Sequence, residues 1–299
     1  VYLLPFGLAG AYLGRVFKGF GEACLYTGAA AWAVEAAGIE RSGQALGYVS
    51  SGIWGGISAG PVVGQWLGTF ERAAATQTVC ALLAFGILCF IPEDYEPDAN
   101  PGPRQWIPRS LIAPGIAIGF VNVHYPVIAG FLILHLANHG HSGPAAFTAY
   151  ALVILLSRFF LGGLPDRINP AITYYAGITA MACGLAILAA GPPPALAIGA
   201  AALLGLGFSF PWSAVASTTL KGIPARERGS AVGVLSAFYD LFVGVSSVAA
   251  GVVAKRFGYP AAFVMAAVAL CAAAIAGRSV FRSPQPRTSQ AVSSVEELA

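Results

Sequence analysis

Long apolar runs separated by short polar clusters extend along this chain from one end to the other. A bilayer core about 30 Å thick needs roughly 20 apolar residues in a helix rising about 1.5 Å per residue. By that measure the sequence predicts nine spans, near 11–34, 43–66, 73–91, 110–136, 144–163, 170–190, 194–220, 229–254 and 260–281. The first carries Arg15, Lys18 and Glu22, and residues 1–8 read as the tail of an earlier span.

The pattern fails between the third and fourth spans. From Pro92 to Arg109 stand five prolines, the acids Glu93, Asp94, Glu96 and Asp98, and two arginines. Proline interrupts helices and charge is costly in hydrocarbon, so 92–109 is a linker. It separates a three-span part, 1–91, from a six-span part, 110–281. The stretch 282–299 is rich in Ser, Pro and Gln, a composition that favours a disordered tail.

Cations orient the chain. With the linker in the cytoplasm, Arg41, Arg104, Arg109, Arg167, Lys221, Arg226, Arg228, Arg278, Arg282 and Arg287 lie inside. Arg15, Lys18, Arg72, Lys255 and Arg256 lie outside. Ten against five is the bias expected of cytoplasmic loops, and it places the C-terminus inside. The expected location is the plasma (inner) membrane, crossed many times.

Composition narrows the classes. The chain of 299 residues is 57% apolar and 10% charged, with mean hydropathy +0.72. A soluble domain carries about 25% charge, so an all-α polytopic membrane protein remains. A net charge of +3 is too small to suggest a nucleic-acid partner. The five cysteines (Cys24, Cys80, Cys89, Cys183, Cys271) are scattered within apolar runs and read as small core residues, not as a disulfide framework or zinc site.

The chain also repeats itself. At an offset of 186, Gly19, Gly21, Ala30, Gly43, Ala45, Gly47 and Ser50 fall on Gly205, Gly207, Ala216, Gly229, Ala231, Gly233 and Ser236. Parallel repeats related by an axis along the membrane normal are a transporter architecture. The six-span half begins near Ser110, so its counterpart is expected to begin roughly 77 residues before Val1, room for three more spans. The expected parent has twelve.

Gly52, Gly56, Gly60 and Gly64 recur every fourth residue along one helix face, and Pro61 follows Gly60. Small residues let helices approach closely, and proline permits a bend. The run 52–65 resembles the fifth-span signature of antiporters of the major facilitator superfamily, with Gln65 in place of the final Gly. Arg15-Val-Phe-Lys-Gly19-Phe-Gly21 resembles the fourth-span signature of that superfamily. Gly162-Gly-Leu164-Pro-Asp166-Arg167-Ile-Asn169 resembles its cytoplasmic loop signature, Asn169 replacing a Gly that takes left-handed geometry. The resemblance covers residues 1–281 as spans four to twelve. It implies a transporter with no cofactor, monomeric when full length, that moves a small-molecule substrate by alternating access, with Arg15 linked to proton coupling.

Candidate site residues follow from polarity inside spans, which defaults to function. Arg15, Lys18 and Glu22 stack on one helix face, either as a proton-carrying stripe or as a plain Lys18–Glu22 pair. Asp240 is alone in apolar sequence and suits a proton carrier. Asn122, His124 and Tyr125 lie in mid-span, and with Tyr26 and Trp212 they are the candidates to line a substrate cavity. Asp166 and Arg167 can hold two helix ends together. His135, His139 and His141 lack nearby acids or Cys, so no metal site is expected. Gly56-Ile-Ser58-Ala-Gly60 matches a nucleophile elbow, but in a glycine-periodic span it reads as packing, not an enzyme. Proton-coupled export is the reading these residues favour. The alternatives are a facilitator or symporter of the same fold, or a non-transporting remnant or assembly subunit.

Overall fold

The computed structural model describes residues 7–38, 41–90, 108–141 and 143–282. Most of the expected linker, the tail beyond Arg282, and the side chains of Pro61 and Asp166 lie outside the described residues. Every regular element among those described is helical. In order they are α1 (Gly7–Ala37), α2 (Ser42–Leu67), α3 (Phe70–Leu88), α4 (Arg109–Asn122), α5 (His124–Asn138) and α6 (Pro144–Leu161). There follow α7 (Leu164–Arg167), α8 (Pro170–Ala189), α9 (Pro194–Phe208), α10 (Pro211–Lys221), α11 (Ala225–Phe257) and α12 (Tyr259–Arg282).

Six stretches among the described residues are long and apolar enough to cross a membrane: 109–138, 144–161, 170–189, 194–221, 227–257 and 259–282. The helices α1, α2 and α3 occupy the first three expected ranges but fall outside those six. Their sequences say why. α1 carries Arg15, Lys18, Glu22 and Glu35, α2 is rich in Gly and Ser, and α3 opens on Glu71 and Arg72.

Two expected spans are each broken in the middle. The stretch 110–136 divides at Val123, because Pro126 has no N–H to offer the Asn122 carbonyl. The stretch 194–220 divides at Ser209–Phe210, because Pro211 cannot bond the Gly207 carbonyl. At both breaks the chain tightens to three-residue bonds, Val123 N to Phe120 O (3.4 Å) and Ser209 N to Leu206 O (3.2 Å).

In lipid, apolar surface does not drive helices together, so close packing of small residues must. A Cβ added to Gly207 on α9 would lie 2.5 Å from the Gly177 carbonyl oxygen on α8. One on Gly205 would lie 2.5 Å from the Tyr150 carbonyl oxygen on α6. These backbones touch. The same device joins α2 to α6, where a Cβ on Gly47 would meet Arg158 O at 3.2 Å.

The expected glycine face of α2 does not make that contact. Gly52, Gly56, Gly60 and Gly64 meet nothing within 4 Å among the described residues. The stripe turned inward is instead Gly47, Ser50 and Trp54, on the other side of the helix. Trp54 is 4% exposed, and burying its large indole fixes the rotation of α2.

Other expectations also change. All five cysteines are exposed, not in the core. A helix apolar on every side does not reveal by sequence which side meets lipid. Asn169 is not left-handed: at φ −52° it caps α8, its side chain accepting from Ala171 N at 2.9 Å.

Adding 186 to the bounds of α1 and α2 lands within four residues of those of α9–α10 and α11. α1 packs on α11 and α10 on α2, which is one pairing under that exchange. Around these contacts α4, α6, α8, α9 and α12 form the most closely packed part, with Tyr150, Tyr174, Met181 and Phe263 fully buried.

Gly207→Ala should lower stability by about 1–3 kcal/mol through overpacking on α8. Gly199→Ala, with nothing within 4 Å of the added methyl, should be neutral or slightly stabilising through helix propensity. Thermal unfolding in detergent measures both, and equal melting temperatures for the two variants would contradict this packing.

Candidate functional site

The two helix breaks open onto one aromatic centre. At the first, His124 begins α5 fully buried, with Nδ1 2.8 Å from Val121 O and Nε2 2.9 Å from the Tyr150 hydroxyl. A carbonyl can only accept, so Nδ1 carries the proton and Nε2 accepts from the phenol. The same imidazole lies 4.6 Å, centre to centre, from Phe208, the last residue before the second break.

Trp54 sits among three rings edge to face: Tyr125 at 5.8 Å, Tyr150 at 6.0 Å and Phe208 at 5.4 Å. Trp212, just past the second break, lies 6.4 Å from Tyr26 and 6.2 Å from Tyr239. Edge-to-face pairs add about 0.5–1.5 kcal/mol each beyond burial. Seven elements therefore converge: α1, α2, α5, α6, α9, α10 and α11.

Within this centre stands a charge. Arg158 of α6 is 9% exposed, its guanidinium carbon 5.4 Å from the Trp54 ring centre and 5.2 Å from that of Phe208. Tyr26, Tyr150 and Tyr239 surround it within electrostatic range. Its Nε is buried without a hydrogen-bond partner, and it makes no ion pair among the described residues. A cavity of about 420 Å³ at the adjacent helix ends is lined by Arg158 together with Arg41, Gln44, Gly162, Leu164 and Arg167, and by none of the rings of this centre.

Arg158 is absent from the residues that sequence reasoning singled out. Its signal was present: Arg158 is a cation inside the expected span 144–163 and has no place in the tally of loop cations. Trp54 carried no such signal, since nothing in the chain sets it apart from Trp32 or Trp66, which are both exposed.

Of the expected cavity residues, His124, Tyr125, Tyr26 and Trp212 join the aromatic centre. Asn122 is buried, its Nδ2 donating to Ile118 O at 2.7 Å and its Oδ1 without a partner. Glu22 is paired with Lys18 at 3.2 Å, and both side chains are exposed. Arg15 is exposed and takes no part in that pair. Asp240 is also exposed, and it lies within electrostatic range of Glu22 where α1 packs on α11. Tyr26 and Tyr239 feel both Arg158 and Asp240.

The loop signature forms the end of α6 and the short α7. Gly162 approaches Gly47 there, and Leu164 O accepts from Ile168 N at 2.9 Å. Arg167 is exposed. Ser58 lies inside α2 and donates to Trp54 O at 2.7 Å, without the strand–turn–helix setting of a nucleophile elbow. At the other end of the helices a cleft of about 530 Å³ is lined by Phe131, His135, His139, Lys255 and Tyr259, with His135 Nε2 2.9 Å from Leu188 O.

The sequence is similar to known proteins over its length. The family model described as Major Facilitator Superfamily matches residues 1–143 and 115–297. An uncharacterized MFS-type transporter of Salmonella typhimurium (strain LT2) is 28% identical over 271 residues, covering 88% of this chain and 69% of the relative. One from Burkholderia mallei (strain SAVP1) is 27% identical over 287 residues, 92% of this chain and 68% of the relative. A third, from Burkholderia pseudomallei (strain K96243), matches to the same extent.

Tyr150→Phe removes the hydroxyl proton that His124 Nε2 accepts and leaves that nitrogen buried and unsatisfied. The expected cost is about 1–3 kcal/mol of stability. Unfolding in detergent reads it, and an unchanged midpoint would mean that the bond contributes nothing.

Proposed function

The chain belongs to the major facilitator superfamily of membrane transporters, and from that premise we propose that it exports a small molecule in exchange for protons. The substrate occupies the aromatic centre, and the two repeats rock about it to open one side and then the other. The observation that carries proton coupling is the approach of Asp240 and Glu22 across α1 and α11. Glu22 is paired with Lys18 at 3.2 Å whereas Asp240 makes no ion pair among the described residues, so Asp240 is the first proton carrier and Glu22 the second. Arg15, two turns before Glu22 on the same helix, is the third member of this proposed coupling group.

Export rests on the likeness of 52–65 to the antiporter signature. The glycine face of Gly52, Gly56 and Gly60 is open among the described residues, which suits a surface against which another helix slides. The cation tally supports the plasma (inner) membrane, a cytoplasmic C-terminus, and a cytoplasmic position for Asp166 and Arg167. The cavity of about 420 Å³ beside Arg167 then opens to the same side. A monomer suffices, because the centre is assembled from one chain.

Asp240→Asn and Glu22→Gln keep the side-chain shape but cannot titrate. In everted membrane vesicles, with fluorescent organic ions as cargo and a pH-sensitive dye as reporter, both should lose pH-gradient-driven transport while cargo binding persists. Transport at the parental rate in both variants would make these acids structural. Cargo movement without any proton movement in the parent would favour a facilitator.

A further inference from the structure

We propose that Arg158 is the anion-binding residue of the transporter and that its substrate is a small organic carboxylate with a flat apolar body. The inference deepens the reading of the aromatic centre as the substrate site and rests on it.

The argument begins with cost. Taking a guanidinium out of water is expensive, and proteins offset the cost with a paired carboxylate and a full set of hydrogen bonds. Arg158 has neither among the described residues, and its Nε is wholly inaccessible and unbonded. What it has is two ring faces, Trp54 and Phe208, inclined at 75° to each other. Cation–π attraction stabilises the charge without using its donors. The planar fork of N–H groups is thus held in place by the rings, with its donors unspent on protein carboxylates. That is the arrangement suited to binding a carboxylate with two parallel bonds.

The surroundings select the rest of the ligand. The Tyr150 proton is committed to His124, whose other nitrogen is fixed by Val121 O, so this phenol presents oxygen rather than a donor toward the guanidinium. Tyr26 and Tyr239 supply hydroxyls to the second oxygen of a bound carboxylate. Trp54, Trp212, Phe208 and Tyr125 supply apolar walls, against which a flat body makes offset or edge contacts. A cavity of about 420 Å³, within the range for small-molecule sites, is lined by Arg158, Gln44 and the end of α6 and includes none of these four rings. Arg41 and Arg167 line the same cavity.

The test needs no transport and no gradient. The purified protein in detergent is titrated with benzoate, and separately with benzamide, which has the same shape without the charge. Tryptophan fluorescence is the readout, since Trp54 adjoins the guanidinium. Saturable quenching by benzoate at millimolar concentration, with none by benzamide, is the expected result. Arg158→Gln should weaken benzoate binding at least about 30-fold. Arg158→Lys keeps the charge but loses the fork, and it should weaken binding by about 10-fold. Equal binding of benzamide, an absence of saturable benzoate binding, or parental benzoate affinity in a folded Arg158→Gln variant each overturns the proposal. The benzoate–benzamide comparison uses the unaltered protein, so it decides even where a variant does not fold. Failure here leaves proton coupling at Asp240 standing, whereas loss of coupling with benzoate binding intact would fault the transport reading alone.

Discussion

In hydrocarbon a peptide N–H or C=O has no water to turn to, and each must be bonded by its own segment or by a protein neighbour. That requirement makes the described chain helical throughout, and it makes any interruption of a helix expensive. The two mid-span breaks, at Val123 and at Ser209–Phe210, are therefore tolerated only where the surroundings are protein. His124 takes up the Val121 carbonyl at the first break, and the Gly205 carbonyl accepts the Ser209 hydroxyl at 2.9 Å at the second. Irregular backbone and aromatic side chains consequently occupy the same place. The candidate site lies where the helices fail.

Glycine does the complementary work. Gly177, Gly205 and Gly207 bring α6, α8 and α9 to backbone contact, and Gly47 does so between α2 and α6. This closeness leaves no room for large side chains at the contacts and delivers Arg158 to the ring faces of Trp54 and Phe208. The same α2–α6 junction joins elements from the two sides of the proline-rich linker, so the charge sits at a seam between the repeats. Tyr26 and Tyr239 lie in electrostatic range of both Arg158 and Asp240. These two tyrosines are thus the groups that stand between the guanidinium and the carboxylate.

Much of this was legible in the residues because the bilayer imposes so simple a rule. Apolar length pointed to helices at all nine expected ranges, and the 186-residue repeat matched the bounds of α1 and α2 to those of α9–α10 and α11. His124, Tyr125, Tyr26 and Trp212 were recognisable as polar or aromatic groups in mid-span, and the structure assembles them. Arg158 was equally visible as a charge inside a span. The breaks at Pro126 and Pro211 were visible as prolines.

Rotation about the helix axis was not legible. In a membrane helix that is apolar on every side, the outward stripe and the inward stripe have the same composition, so periodicity loses its power. In α2 small residues lie on both sides, so the glycines at 52, 56 and 60 point away while Gly47 and Trp54 point in, and all five cysteines likewise lie on outer faces. The sequence alone determined the class, the helices, the repeat and the residues too polar to be idle. Tertiary packing alone decided which of them meet, because only the close approach of glycine-bearing backbones sets the phase of each helix, and that phase places a lone guanidinium among aromatic rings.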